Sequence, residues 1–424
     1  MDRKKLKIKA TSVLIILCWI VYTCSYIGKL NYAANINQVM SYYSISHADA
    51  GLVSTLFFFS YGIGQVLNGI WCKKYNLRWI VFASLAVSAA TNLLIAVSPS
   101  FELIKYLWVI NGFSLSMLWP SLIRLLSETL PTEDMARASV IMGTTTATGT
   151  FFIYGLSAVF AAFTSFKAVF YIAAGTLLAT AAVWLIYVNR LSCAAASTER
   201  ETSGSEELRD EAVSESEKPH ETQHASRGGL LMLTICMLAI FGIATNFVKD
   251  GLTTWVPSIL KENYGLDDSL SIVLTLALPI VSIFGNVFAV SLHKKIPDFV
   301  YQCATVFLVS GAVIGLLIVG FEGKQFILPL IAFALICFLV GSCNSLITSI
   351  FPLFMSSKVD SGLIAGVLNG FCYVGSTLSS YGLGLIADNF GWAGVFWLLL
   401  GVCVLAVLGT AVYAVIKATM KKSK

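Results

Sequence analysis

Long apolar segments recur along the whole chain, and they constrain its fold more than any other feature of the sequence. Each is long enough to cross the hydrocarbon core of a bilayer as an α-helix, which takes about 20 residues. Only 12% of the residues are charged, against about 25% in soluble domains. We therefore predict an all-α membrane protein with twelve transmembrane helices, at residues 11–41, 47–72, 78–98, 103–127, 135–162, 166–188, 228–261, 269–292, 298–320, 325–356, 361–387 and 391–416.

The 28 basic residues are distributed unevenly between the segments that connect these helices. With the N-terminus on the inner side, the inner segments carry 22 of them, whereas the outer loops carry only Lys105, Lys167, Lys261 and Lys324. Cytoplasmic loops of membrane proteins are enriched in lysine and arginine. We therefore expect a multi-pass protein of the bacterial cytoplasmic (inner) membrane with both termini in the cytoplasm. Because the net charge of +5 comes from short loops beside the membrane, it does not indicate nucleic acid binding.

A polar stretch interrupts the series of apolar segments near the middle of the chain. Residues 189–227 are rich in Glu, Ser and Thr and hold five basic and nine acidic side chains. Such a composition cannot bury enough apolar surface to order itself. We predict a flexible cytoplasmic linker at 191–227 between two six-helix bundles, 1–190 and 228–424. A solvated tether is the favoured interpretation of this linker, with a regulatory segment as the alternative.

The two halves resemble each other in sequence. Tyr154-Gly155-Leu156 is similar to Tyr381-Gly382-Leu383 at an offset of 227 residues, and Lys29 and Lys249 are 220 residues apart. The second offset makes the two lysines equivalent positions of a repeat. Secondary transporters built from repeated halves place their binding site at the interface of the repeats, near the middle of the membrane.

Lys29 and Lys249 lie within predicted membrane helices, where a cation costs about 2.5–3.5 kcal/mol. Each shares a helix face with polar side chains. These are Tyr22, Ser25, Tyr26 and Tyr32 beside Lys29, and Thr245, Asn246 and Thr253 beside Lys249. The alternatives are snorkelling of the ammonium groups to the interface and pairing with a carboxylate. Because both lysines are far from the helix ends and Asp250 is the one carboxylate placed in the membrane, we favour contact with an anionic substrate.

Three local patterns resemble the major facilitator superfamily and, within it, the organophosphate:phosphate antiporters, the glycerol-3-phosphate and hexose-phosphate carriers and related sensors. They are Tyr26-Ile27-Gly28-Lys29-Leu30-Asn31-Tyr32, Lys249-Asp250-Gly251-Leu252-Thr253-Thr254-Trp255-Val256-Pro257, and Trp119-Pro120 with Arg124. The resemblance covers all twelve helices and the central loop. It implies two pseudo-symmetric six-helix bundles and a secondary active transporter that works by alternating access. It also implies a phosphorylated sugar or polyol as substrate, in exchange for inorganic phosphate.

The sequence departs from that family at three places. Both arginines of the family are lysines here, so that two point charges replace the fork that grips phosphate bidentately. The family's fifth-helix histidine falls at Thr146, and its loop pattern Gly-x-x-x-Asp-Arg reads 69–74 without the aspartate. A transporter of carboxylates such as sugar acids or dicarboxylates, with or without proton coupling, therefore stays an alternative. So does a membrane ligand sensor of the same fold.

The predicted substrate-binding residues share a face with a lysine or lie on other helices of the same interface. They are Lys29, Lys249, Tyr26, Tyr32, Asn246, Thr253, Trp119 and Tyr373. Asp250 has three open interpretations: it neutralises a lysine in the empty site, binds a coupling proton, or stabilises a gate. Arg124 lies near the inner end of its helix, and we interpret it as part of an inner gate or salt bridge rather than as a substrate contact.

No motif in the sequence indicates an enzyme or a cofactor. The ten cysteines are scattered singly without the spacing of metal ligands. None of the four histidines lies deep in a predicted helix, and the absence of a P-loop excludes ATP-driven transport. We expect no catalytic residue, no metal and no cofactor. The expected partners are a small anionic substrate and the lipid bilayer, with the chain as a monomer.

Overall fold

The computed structural model describes residues 3–71, 76–98, 100–130, 132–196, 221–355 and 361–422. Its helices are numbered here by membrane crossing. The first half comprises α1 (Arg3–Ala34 and Ile36–Tyr43), α2 (His47–Trp71), α3 (Leu77–Val97), α4 (Phe101–Ser116 and Leu118–Thr129), α5 (Thr132–Gly143 and Thr145–Phe163) and α6 (Phe166–Ala196). The second half comprises α7 (Glu221–Tyr264), α8 (Asp268–Thr275 and Ala277–Lys295), α9 (Phe299–Glu322), α10 (Ile327–Ser345, the π-helical turn Leu346–Ile350 and Phe351–Phe354), and Ser361–Lys422, which holds α11 and α12.

The segment Ser361–Lys422 is 62 residues long and contains two membrane helices. It breaks at Gly391, whose φ of 67° is a left-handed conformation that glycine adopts without steric cost. We call the part before this residue α11 and the part after it α12. Eleven apolar helical segments of the described residues are long enough to cross a membrane, and the longest, Ile364–Met420, includes this break and provides two crossings. The predicted all-α fold with twelve membrane helices is confirmed.

The predicted linker at 191–227 lies mostly outside the described residues. The helices on either side extend into it, because α6 continues to Ala196 and α7 begins at Glu221. The boundaries of the two bundles at 190 and 228 therefore stay a prediction.

Large apolar side chains cover the outside of the helices. Phe59, Phe284 and Leu405 are examples, each more than half exposed. In water, so much exposed apolar surface would drive aggregation. In a bilayer the acyl chains solvate these side chains, as expected for helices that cross a membrane.

The part of α1 that carries Lys29 is fixed by buried amide side chains. Asn111 Nδ2 donates to the carbonyl oxygen of Gly28 at 2.8 Å, and Asn31 Nδ2 donates to Asn92 Oδ1 at 2.6 Å. All three asparagines are fully buried. Because an unpaired amide would be costly in this apolar environment, these bonds set the position and rotation of α1 against α3 and α4.

Glycines allow one helix of each half to pack directly on the backbone of the helix with the lysine. A Cβ at Gly149 of α5 would lie 2.7 Å from the carbonyl oxygen of Thr23, and one at Gly375 of α11 would lie 2.0 Å from that of Ile243. Each contacted carbonyl is six residues before the lysine, Lys29 in one half and Lys249 in the other. The two lysines are therefore preceded by the same close helix contact at the same distance along the chain, as expected for equivalent positions of a repeat.

Hydrogen bonds join the two halves on the side opposite the chain termini, which we call the distal end, where α1 ends at Tyr43 and α2 begins at His47. Ser258 Oγ donates to Asn37 Oδ1 at 2.6 Å, and Thr55 Oγ1 donates to the carbonyl oxygen of Thr377 at 2.7 Å. Backbones also approach closely there, since a Cβ on Gly51 would lie 2.3 Å from the carbonyl oxygen of Ser380. The bundle is therefore closed at its distal end.

We expect Gly375→Ala to destabilise the protein, because the new methyl group would collide with backbone atoms of Ile243. Overpacking of this kind typically costs about 1–3 kcal/mol. The matched control is Gly370→Ala on the same helix, where an added Cβ meets nothing within 4 Å. Thermal unfolding of the purified proteins in detergent should show a lower midpoint for the first variant only, and an equal shift in both would contradict this packing.

A candidate substrate site between the two halves

Aromatic rings from three helices surround the ammonium group of Lys29. Its Nζ lies 4.1 Å from the centroid of the Tyr61 ring, 5.2 Å from Tyr26, 5.8 Å from Tyr373 and 5.9 Å from Phe57. Ring faces attract a cation through their quadrupole, by about 2 kcal/mol or more in a desolvated setting. Of the salt bridges recorded among the described residues, one involves Lys249 and none involves Lys29. The charge of Lys29 is thus stabilised by rings and is not neutralised by a paired carboxylate.

Lys249 has a carboxylate beside it. Its Nζ lies 3.4 Å from Asp250 Oδ1, while Asp250 Oδ2 accepts a hydrogen bond from Ser376 Oγ at 2.5 Å. The network continues to Asn246, whose Nδ2 donates to Ser376 Oγ at 3.1 Å and whose Oδ1 accepts from Asn344 Nδ2 at 2.6 Å. α7, α10 and α11 are therefore linked by polar contacts around the second lysine.

Asp250 also faces the first lysine across the interface. It lines one cavity together with Lys29, and it lies within electrostatic range of both ammonium groups. With all three groups ionised, this cluster carries one net positive charge. An anion is the ligand that such a cluster would attract, because an excess positive charge in an apolar environment is costly.

A cavity of about 50 Å³ separates the two halves at this place. Its lining comes from α1, α2, α4, α5 and α7, namely Lys29, Leu30, Ala33, Ser54, Phe57, Phe58, Trp108, Tyr154, Asp250, Thr253 and Thr254. Ligand pockets typically have about 300–1,000 Å³. The cavity must therefore widen before an organic anion can enter.

Five of the predicted substrate contacts lie at this cavity or beside it, and so does Asp250. Lys29, Asp250 and Thr253 line it directly, and Tyr26 and Tyr373 face the ammonium group of Lys29. Lys249 is the neighbour of Asp250, and the hydroxyl of Tyr26 accepts a hydrogen bond from Thr146 Oγ1 at 3.0 Å. Asn246 is fully engaged in the network of α7 and does not line the cavity.

Three other predicted residues do not line the cavity and have structural contacts. The Tyr32 hydroxyl donates to the carbonyl oxygen of Ala50 at 3.0 Å and the ring is buried, so it holds α1 to α2. The Trp119 ring packs at 4.7 Å from Tyr22. Arg124 Nε donates to Glu128 Oε1 at 2.6 Å, a salt bridge within one helix. That bridge agrees with the structural interpretation of Arg124, and its part in a gate stays a prediction.

Several side chains that complete the site from other helices are not among the predicted substrate contacts. Phe57 and Tyr61 of α2, Tyr154 of α5 and Ser376 of α11 all contact the lysines, Asp250 or the cavity. Each lies on a helix with many similar residues, and helical periodicity alone does not show which face meets which neighbour.

Comparison with known proteins gives relatives that match nearly the whole chain. It is 22% identical over 405 residues to a probable hexose phosphate transport protein of Chlamydia pneumoniae, which covers 92% of this chain and 88% of that protein. It is 22% identical over 404 residues to the glycerol-3-phosphate transporter of Bacillus subtilis, covering 92% and 89%. The membrane sensor protein UhpC of Escherichia coli is 27% identical, over 24% of this chain and 23% of its own length. The predicted resemblance to the organophosphate:phosphate antiporters is confirmed.

Solved structures show the same fold at low sequence identity. A bacterial homolog of the human lysosomal transporter Spinster, in an inward-facing conformation, superposes with a TM-score of 0.70 at 14% identity, covering 96% of this chain and 95% of that one. A D-xylose-proton symporter superposes with a TM-score of 0.69 at 11% identity, covering 95% and 97%. The family model described as Major Facilitator Superfamily matches residues 18–380. The chain therefore belongs to the Major Facilitator Superfamily and is a multi-pass membrane transporter, not an enzyme.

Proposed function

We propose that this protein transports a small organic anion by alternating access, and that its substrate is a phosphorylated sugar or polyol, exchanged for inorganic phosphate. The proposal places it in the bacterial cytoplasmic membrane with both termini inside, in line with the distribution of its basic residues. The two relatives that match along nearly their whole length are named as hexose phosphate and glycerol-3-phosphate transporters.

The observation that carries this proposal is the unneutralised charge of Lys29 at the interface of the halves. Rings hold the ammonium group in place, and the nearby Asp250 is already engaged with Lys249 and Ser376. An anion that enters between Lys29 and Lys249 would contact a group from each half. Binding would then favour closure of the halves around the anion, because closure removes water and strengthens both charge interactions.

Asp250 adjusts the charge that the site accepts. When its carboxylate is ionised, the cluster has one net positive charge and matches a monoanion. We therefore propose Asp250 as a specificity-determining residue, because its charge sets the net charge that the anion must balance.

A carboxylate transporter is the second candidate function, and the lysines favour it. An ammonium group is a point charge that suits a carboxylate as well as a phosphate, whereas the arginine fork is selective for bidentate oxyanions. The chloroplastic ascorbate transporter of Arabidopsis thaliana is 24% identical over 138 residues, which are 31% of this chain and 24% of that protein. A membrane sensor is the candidate from another class, supported by the partial similarity to UhpC.

Exchange in proteoliposomes distinguishes these functions. Vesicles loaded with labelled phosphate should release it when external hexose phosphate or glycerol phosphate is added, and not when a sugar acid is added. Accumulation of a sugar acid driven by an imposed pH gradient would establish the carboxylate transporter instead. Ligand binding without any flux would favour the sensor.

We expect Lys29→Ala and Lys249→Ala each to reduce exchange at least about 100-fold, because each removes one of two charges that contact the anion in a desolvated site. The control is Lys105→Ala, which removes a lysine paired with Glu102 at the surface of α4. It should exchange like the unmodified protein. Normal flux in either of the first two variants, in folded protein, would remove that lysine from the site.

We expect Asp250→Asn to shift the preference of the site from monoanions to dianions. The amide keeps the hydrogen bond from Ser376 but leaves two positive charges, which a dianion balances better than a monoanion does. The ratio of the initial exchange rates for a phosphate ester and for a sugar acid with a single carboxylate, both at one pH, measures this. Glu322→Gln, at an exposed helix end, is the control. An unchanged ratio of the two rates in Asp250→Asn would contradict the role of this carboxylate.

A further inference from the structure

A histidine at the distal end holds the two halves together. His47, at the start of α2, places its Nδ1 2.7 Å from Asp388 Oδ1 and its Nε2 2.7 Å from Glu262 Oε1. Both carboxylates belong to the second half, Glu262 to α7 and Asp388 to α11. A single ring of one half thus bridges two helices of the other.

The surroundings of His47 fix the ring in this position. It packs against the indoles of Trp255 and Trp392, with ring centroids 5.5 and 5.2 Å away, and Trp392 Nε1 donates to Glu262 Oε2 at 2.8 Å. Asp388 also accepts from the backbone amides of His47 and Ala48, at 3.1 and 2.7 Å. A carboxylate of the second half therefore caps the N-terminus of a helix of the first, where the helix dipole favours negative charge.

Among the residues that the structure describes, few other charged groups are near the ring. On α2 itself, Asp49 pairs with the hydroxyl of Ser46. On α7, Lys261 directly precedes Glu262, and its ammonium group forms a salt bridge with Asp268, with Nζ 2.9 Å from Oδ1. α1 contributes no charged side chain where its second segment, Ile36–Tyr43, packs against α2. Glu262 and Asp388 are therefore the groups that respond to the charge of His47.

The hydrogen-bond pattern requires both ring nitrogens to be donors. Ionised carboxylates only accept, a protonated imidazole donates at both nitrogens, and a neutral imidazole donates at one and accepts at the other. Deprotonation of His47 would bring a nitrogen lone pair against one carboxylate at a distance of 2.7 Å. The complete set of contacts thus exists only when the ring carries a proton.

We infer that His47, Glu262 and Asp388 form a proton-binding site that closes the distal end of the transporter. Protonation of the ring holds the halves together at this end, and loss of the proton releases it. Acid therefore favours the conformation that is closed here, and the closed population falls as the pH rises through the range in which imidazoles titrate. This inference uses alternating access from the proposed function, but it does not depend on the identity of the substrate.

Distances between spin labels test this inference without any substrate, so its failure is distinguishable from failure of the proposed anion transport. One label is placed at Ser165, in the turn between α5 and α6, and the other at Lys324, between α9 and α10. Both positions are exposed. The cysteines that react with the label are replaced by serine. Between about pH 5.5 and pH 8.5 the ratio of open to closed populations should rise about tenfold in the otherwise unmodified chain.

The variant His47→Gln should lose this pH response, because glutamine does not titrate. Its open population should at every pH equal that of the unmodified chain at high pH. The matched control His293→Gln should keep it. His293 also packs against an aromatic ring, Phe299, but its Nδ1 contacts Gln302 within the second half. A pH response of full size in His47→Gln would overturn the inference.

A second variant keeps the test decisive if His47→Gln does not fold. Arginine at position 47 is always charged and has donors for both carboxylates. His47→Arg should therefore stay closed at the distal end across the whole pH range. If its open population still rises with pH as in the unmodified chain, another group controls the distal end and the inference is wrong.

Discussion

An ammonium group inside a membrane protein needs compensation, and the arrangement of this transporter follows from how its two central lysines obtain it. Lys29 is stabilised by the faces of four aromatic rings, whereas Lys249 has Asp250 beside it. The two solutions differ because a ring face attracts a cation without cancelling its charge. The first half therefore presents an available positive charge, and the second half presents a charge that is largely balanced. The two halves thus differ in charge, although each has a glycine that packs on the backbone six residues before its lysine.

Close backbone contacts fix the positions of the helices that carry the two lysines. Gly149 and Gly375 let α5 and α11 pack directly against the helices that carry the lysines, and buried asparagines fix the rotation of α1. Small residues at the distal end, such as Gly51, let the halves meet there without large side chains between them. The interface of the halves combines this backbone packing with polar contacts, such as the hydrogen bond from Thr55 to the carbonyl oxygen of Thr377. Alternating access needs two halves that move against each other, and this interface is where such a movement would take place.

Much of the fold and part of the site could be predicted from the sequence. Apolar length alone indicates twelve crossings, and the break at Gly391 leaves that number unchanged. The lysines stand out because charged residues are rare in such helices, and Tyr26 and Thr253 follow from sharing their faces. Tyr32 shares the face of Lys29 in the same way, yet its hydroxyl bonds to Ala50 and the ring lies away from the cavity. Helical periodicity predicts which residues point in one direction, but not which helix they meet.

The sequence by itself determined the class of protein, the number of helices and the two cations that need an anion or a partner, because these follow from hydrophobicity and charge along one chain. Only the tertiary structure decided that Tyr61 and Phe57 surround Lys29, that Ser376 bonds to Asp250, and that His47 meets Glu262 and Asp388. His47 is 215 residues from Glu262 and 341 residues from Asp388 along the chain. Their contacts depend on the rotation and depth of packed helices, which arise from the summed shape of many buried side chains and not from any local pattern.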